Sequence, residues 1–269
     1  MKRFVRVLPV LVSICVMPGA GAYAGEPAAI SPAEVIRPFN GKDLSGFDLF
    51  LKETGSEDPT GIFRVTDGVI HISGEGAGYL ATRQAYRDYH LSVEYKWGKH
   101  HTGKYVRNSG VLLHKNNVDH VWPTSIEVQL AQGCEGDFIV IGGKTASGEP
   151  SGATLTSDTR IAEDKKTRYQ PGGTPTQYKG RQFWWSQHQP GFKELLDTRG
   201  ADDVASPLGE WTRVECICSG DRITIKINGH VVNECYQVHP SSGRILLQNE
   251  GSEVYFRNLE IRPLKEKTE

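Results

Sequence analysis

The chain has 269 residues, 38% hydrophobic and 23% charged, with 31 basic and 32 acidic side chains. This composition is globular rather than disordered. A near-neutral chain with no basic run argues against nucleic-acid binding, which rests on Lys and Arg neutralising phosphates. No apolar stretch reaches the roughly 20 residues of a membrane span.

Lys2, Arg3 and Arg6 precede an apolar run from Val7 to Met17, and Ala22-Tyr23-Ala24 follows. That order predicts a signal peptide over 1–24 and an exported, periplasmic or secreted chain starting near Gly25. Val12-Ser13-Ile14 lacks the small residue a lipoprotein signal places before its cysteine, so no lipid anchor is expected. Such a mature chain holds 28 basic and 32 acidic residues, a net charge of −4, and no methionine. Its four cysteines are Cys134, Cys216, Cys218 and Cys235. Cys216 and Cys218 share a strand face and do not easily bond each other. Structural disulfides or buried thiols are the expectation over a metal site.

Residues 25–38 read as a lead-in. Ser31-Pro32-Ala33-Glu34 has capping-box spacing with proline at the first helical position, and Pro38 ends any helix within two turns. From 39 to 264 the pattern is β throughout. Asp67-Gly68 and Asn228-Gly229 sit between short alternating runs and predict hairpins. Tyr89–Trp97 alternates: Tyr89, Leu91, Val93, Tyr95 and Trp97 on one face, polar residues on the other. Further strands are expected at 47–51, 78–82, 107–114, 124–131, 136–141, 211–218, 243–249 and 253–262. About a dozen antiparallel strands predict an all-β sandwich or jelly roll. Residues 142–207 break this rhythm as a long loop insertion. It carries Phe183-Trp184-Trp185, so it either folds back over the sandwich or borders a ligand site.

Strand parity collects polar side chains. In 124–130, Glu127 and Gln129 oppose Ile126, Val128 and Leu130; in 107–114, Asn108 and His114 share a face; in 244–250, Gln248 and Glu250 share one. Solvent exposure is the plain reading of such faces, and a shared site is the other. Trp122 and Trp184-Trp185 are either core aromatics or sugar-stacking platforms. Gly143-Lys144-Thr145 is no P-loop, because Phe138 stands where that motif needs glycine. His100-His101 reads as a solvated turn.

Phe39-Asn40-Gly41-Lys42-Asp43-Leu44-Ser45-Gly46-Phe47 resembles the opening of the bacterial 3-keto-disaccharide hydrolase domain family. The resemblance continues at Asn108-Ser109-Gly110-Val111, Ser125–Leu130, Gly136-Asp137-Phe138, Leu208–Trp211, Asn228-Gly229, Leu247–Gly251 and Phe256–Glu260. Phe47 replaces the family's tryptophan, and Glu250 stands where many members have histidine. The resemblance implies a concanavalin A-like jelly roll of two antiparallel sheets. It also implies a carbohydrate partner and a hydrolase or lyase that cleaves 3-keto-glycosides. Removal of the C2 proton, elimination of the C1 substituent and addition of water need one base, an electrophile and an acid. On that implication Glu127 is the base, and His114 or Glu250 the acid. Asn108, Gln129, Gln248 and Trp122 are substrate contacts. A divalent cation is an alternative electrophile, with Glu127, Glu250, His114 and Asp137 as available donors. Laminarinase-type glycosidases on this fold carry Glu-x-Asp-x-x-Glu. Here the spacing reads Glu127-x-Gln129-x-x-Gln132, and the amides serve as neither nucleophile nor acid. A non-catalytic carbohydrate-binding module, or a glycosidase with another carboxyl pair, remains the alternative.

Overall fold

The computed structural model describes residues 27–103, 106–116, 119–144, 150–178, 180, 182–185, 193 and 195–264. The predicted signal peptide lies outside the described residues. The first strands are β1 (Phe47–Leu51), β2 (Phe63–Thr66), β3 (Val69–Ile72), β4 (Ala77–Thr82), β5 (Tyr89–His101) and β6 (Gly110–Lys115). Next come β7 (Ser125–Gln129), β8 (Phe138–Ile141), β9 (Gly143–Lys144), β10 (Pro150–Ser151), β11 (Thr154–Ile161) and β12 (Thr167–Tyr169). The last are β13 (Thr174–Gln177), β14 (Thr212–Ser219), β15 (Arg222–Ile227), β16 (His230–His239), β17 (Arg244–Glu250) and β18 (Ser252–Pro263).

Two antiparallel sheets form the jelly-roll sandwich. The smaller runs β1-β4-β17-β6-β7-β8 and the larger β12-β11-β16-β15-β14-β5-β18-β3-β2, with β13 beside β11. Both hairpin signals form. Asp67 and Gly68 (φ 51° and 75°) turn β2 into β3, and Asn228 and Gly229 (φ 48° and 86°) turn β15 into β16. Positive φ at both central residues matches the right-handed strand twist. β5 buries Tyr89, Leu91, Val93, Tyr95 and Trp97 and leaves the alternate positions half-buried. These side chains meet Ile126, Val128, Leu130, Ile245 and Leu247 from the smaller sheet in one core.

Two expectations change. The described lead-in forms no helix. Ile30 bridges Tyr86 and Ile36 bridges Ile261, so pairing to existing strands satisfies backbone that a short, Pro38-limited helix would leave unpaired. The 142–207 insertion is more than a loop: β11 adds to β16 in the larger sheet, and β12 and β13 flank it. The insertion also returns to the smaller sheet. Phe138 N–H on the edge strand β8 donates to Phe183 O, while Trp184 bonds Thr167 and Tyr169 of β12. The aromatic cluster thereby covers an otherwise open sheet edge.

The four cysteines of the mature region are buried, and none is in a disulfide. Cys218 and Cys235 flank Ile223 on the strand between them. Two strand spacings are about 10 Å, beyond the roughly 7 Å Cα limit of a disulfide. Burial pushes the Cys218 thiol up to about 12, which suppresses the reactive thiolate. A thiol reagent is therefore expected to find no reactive cysteine in the native mature chain and all four after unfolding. A disulfide-linked peptide in a non-reducing digest would contradict this.

Candidate active site

The smaller sheet's face turned away from the core collects the polar residues. Register defines its rows. Gly110 pairs with Gln129, Leu112 with Glu127, Leu246 with Leu112, and Gln248 with Tyr79. Continuing the β17–β6 register, set by Leu247 opposite Val111, places Gln248 opposite Gly110 and Glu250 opposite Asn108.

Glu127 leans diagonally over Gly110. A Cβ built on Gly110 would lie 2.6 Å from Glu127 Oε1 and 3.0 Å from its Cγ. The missing side chain is what lets the carboxyl reach toward β17, where the Gln248 amide is close enough to lower its pKa. Glu127 is 4% exposed and Gln248 1%. Burial, and then the charge of Glu250, push the Glu127 carboxyl up to about 8, while the neighbouring Gln248 amide pulls it down. Burial pushes Glu250 up to about 7. Two carboxyls with unequal environments thus share one site.

Three of its oxygens lack donors. Glu127 Oε1, Gln248 Oε1 and Asn108 Oδ1 are buried without hydrogen-bond partners. The Asn108 backbone is fixed through its N–H to Ser252 Oγ at 2.9 Å, and Ser109 Oγ donates to Gln248 O at 2.9 Å.

Part of the face is covered. Tyr79, Ala81, Leu112 and Leu246 form a second apolar cluster, with Phe50 and Ile141 against it. Tyr79 OH donates to Asp119 Oδ1 at 3.0 Å, tying the β6–β7 loop to this cluster. Trp122 is half-buried in that loop, three residues beyond Asp119. Tyr79 and Asp119 were not legible as site neighbours, because only the register brings β4 beside β17.

Parity expected His114 beside Glu127, and the structure corrects this. β6 shifts register against β17 between Arg244 and Leu246, and His114 takes φ 64° there. Its ring turns inward, edge-on to Tyr89 at 5.9 Å, with Nδ1 at 3.0 Å from Pro240 O. Burial lowers it to about 4, so it stays neutral and inside the core. Gln129 lies on the expected face, but its Oε1 accepts the Leu130 and Ala131 N–H groups at 2.9 and 3.1 Å, closing the strand end. Gln132 Oε1 similarly takes Asp197 N–H at 3.1 Å.

The residues do not fit the divalent cation. His114 faces Tyr89, and Asp137 accepts Gln182 Nε2 at 2.6 Å and Trp185 N–H at 2.8 Å. That leaves Glu127 and Glu250 of the four suggested donors. Among the described residues no three His, Cys, Asp or Glu side chains form a metal-holding group.

The family opening motif forms a self-capped turn leading into β1. Asn40 Oδ1 accepts Lys42 and Asp43 N–H, and Asp43 Oδ1 accepts Ser45 N–H.

No curated protein matches this chain by sequence. A candidate glycosyl hydrolase from Parabacteroides distasonis superposes with a TM-score of 0.51 at 20% identity, over 86% of this chain and 94% of that one. A Bacillus subtilis carbohydrate-binding module gives 0.45 at 12% identity, over 81% and 95%. A Bacillus licheniformis beta-glucanase gives 0.44 at 10%, over 85% and 96%. At 20% identity the likeness to the Parabacteroides protein is one of fold alone. The family model of the 3-keto-alpha-glucoside-1,2-lyase-like domain matches residues 34–262, and the chain belongs to that family.

Proposed function

We propose that this chain is an exported enzyme that cleaves 3-keto-glucosides by elimination across C1–C2 followed by hydration. The observation that carries it is Glu127. It is a buried carboxyl pushed up to about 8, with orphaned acceptor oxygens beside it on β17 and on the segment leading into β6. Buried acceptors without donors call for a ligand that brings donors, and sugar hydroxyls do so. A carboxylate with a raised pKa is also a stronger base than an ordinary one. Export rests on the charged, apolar and Ala22-Tyr23-Ala24 order of the N-terminus.

The C3 ketone makes the C2 proton acidic. Glu127 takes that proton, and the C–H electrons form an enolate with its charge on O3. The amide N–H groups of Asn108 and Gln248 are the nearby neutral donors for O3. The enolate then expels the C1 substituent, whose oxygen takes a proton from Glu250. Water adds to the resulting enone at C1 and gives up a proton to the Glu250 carboxylate, while the proton held by Glu127 returns to C2. With His114 in the core, Glu250 is the acid left from the two that the sequence suggested.

The carboxyl pair itself supports a second reading, ordinary glycoside hydrolysis with one carboxyl as acid and the other as nucleophile or base. The substrate separates the two. Incubation with a 3-keto-glucoside and its parent glucoside is expected to cleave only the oxidised one, with a slower reaction when C2 carries deuterium. Equal cleavage of the parent, with no deuterium effect, would establish the second reading instead.

The elimination needs Glu127 ionised and Glu250 protonated; because Glu127 has the higher pKa, this is the minority arrangement of the singly protonated pair, and it rises and falls with that pair. The pH profile is therefore expected to be bell-shaped, with limbs near 7 and 8. In Glu250→Gln the acid is gone, so the alkaline limb disappears. The single rising limb that remains belongs to Glu127 alone and lies below 8, because a neutral neighbour no longer raises it. Initial rates from pH 5.5 to 9.5 check this; an unchanged bell in the variant would remove Glu250 from the pair.

A further inference from the structure

The row of the sheet that holds Gln248 continues beyond it. Gln248 pairs with Tyr79 on β4, and Tyr79 pairs with Phe50 on β1, the edge strand. The two rings lie stacked, with centroids 5.6 Å apart and planes 19° apart. Tyr79 is 1% exposed, and its hydroxyl is fixed by Asp119. Phe50 is only partly buried against the Tyr79–Leu246–Leu112 cluster. Its ring therefore stands on a rigid base at the open end of the row.

Distance sets what Phe50 can serve. It is two strand spacings from Gln248, about 10 Å, and one more from Gly110, over which the Glu127 carboxyl leans. A single sugar ring seated at Glu127, Gln248 and Glu250 does not reach it. The next ring of the same ligand, running across the strands, does. The chemistry changes in step along the row. It is polar and acceptor-rich at Gln248 and Asn108, then flat and apolar at Tyr79 and Phe50. That suits a ring bound through its hydroxyls followed by a ring bound through its C–H face.

We infer that Phe50, backed by Tyr79, is the platform for the second sugar ring, the leaving half of a disaccharide substrate. This rests on the reading of Glu127 as the reacting centre and adds a specificity determinant to it. Phe50 selects disaccharides over glycosides with a small C1 substituent.

Binding tests this without turnover. Calorimetry compares an unoxidised glucosyl disaccharide with methyl glucoside on the full protein. The disaccharide is expected to bind more tightly, by roughly three- to tenfold for one aromatic contact. Phe50→Ala should erase that preference and leave methyl glucoside affinity unchanged. Phe50→Leu, which keeps apolar volume on the edge strand, should erase it as well. Phe50→Tyr should retain it. Equal affinities in the wild type, no disaccharide binding, or a preference that survives both Phe50→Ala and Phe50→Leu would overturn the inference. Cleavage of the 3-keto-glucoside is measured separately. Failure there removes the proposed reaction and leaves the binding comparison to decide the role of Phe50.

Discussion

Glu127→Gln is expected to lower kcat on a 3-keto-glucoside by about 10²–10⁴-fold, the usual contribution of a positioned base, while the protein stays folded. The amide keeps the size of the carboxyl, so the lean over Gly110 and the contact with Gln248 survive. Proton abstraction does not. Exchange of the substrate's C2 proton with solvent deuterium should fall in parallel. Stability should move the other way. A carboxyl raised from an ordinary 4.5 to about 8 makes the folded protein hold a proton that the unfolded chain has lost. Wild-type stability therefore declines as pH rises through that interval. The variant lacks this decline, so it gains on the wild type from pH 5 to 8 and shows no gain at pH 4. Gln248→Ala removes a donor to the enolate oxygen, a loss of about 10²–10³-fold in kcat for one such donor. Near-wild-type turnover in Glu127→Gln would eliminate it as the base and turn attention to Glu250.

Which parts of this site were legible in the sequence follows from the period of a strand. Alternation in Ser125–Gln129 separates Glu127 from Ile126 and Val128 whatever the partner strand does, so its face was readable. The same holds for Gln248 between Leu247 and Asn249. Parity fails where the count of residues per pleat fails. The register shift at the end of β6 and the positive φ of His114 turn that ring from Glu127's face into the core. No residue type in Leu112-Leu113-His114-Lys115 marks the shift. Phe50 and Tyr79 illustrate a different limit: each was read as part of a strand, but which strands lie side by side is a property of topology. The insertion strand Thr154–Ile161 buries Thr156, Ser157 and Thr159 beside Leu155, so it lacks the apolar alternation that marks a strand from sequence. Even Asp-Gly and Asn-Gly were informative only because their turn geometry is local.

Gly110 is the residue whose role the sequence concealed most completely, and its replacement carries the second large effect. Its φ is not positive, so alanine meets no backbone strain there. The new Cβ would instead stand 2.6 Å from Glu127 Oε1, 3.0 Å from Cγ and 3.1 Å from Cδ. Real Cβ atoms do not approach that closely, and the carboxylate end of a glutamate is what yields. Gly110→Ala is thus expected to fold, with β6 still paired to β7 and β17, while the carboxyl moves off Gly110 and away from Gln248. A displacement of about 1 Å at a reacting group costs on the order of 10²-fold, and the loss should appear in kcat. The Glu127 limb of the pH profile should shift too, since the Gln248 amide that lowers its pKa is then farther from it; the limb moves up from about 8. Combining the two changes gives a further check. If Gly110→Ala acts only by moving this carboxyl, adding it to Glu127→Gln costs almost nothing more, because the group it displaces no longer takes a proton. Fully additive losses would mean that Gly110 serves the site through something other than Glu127.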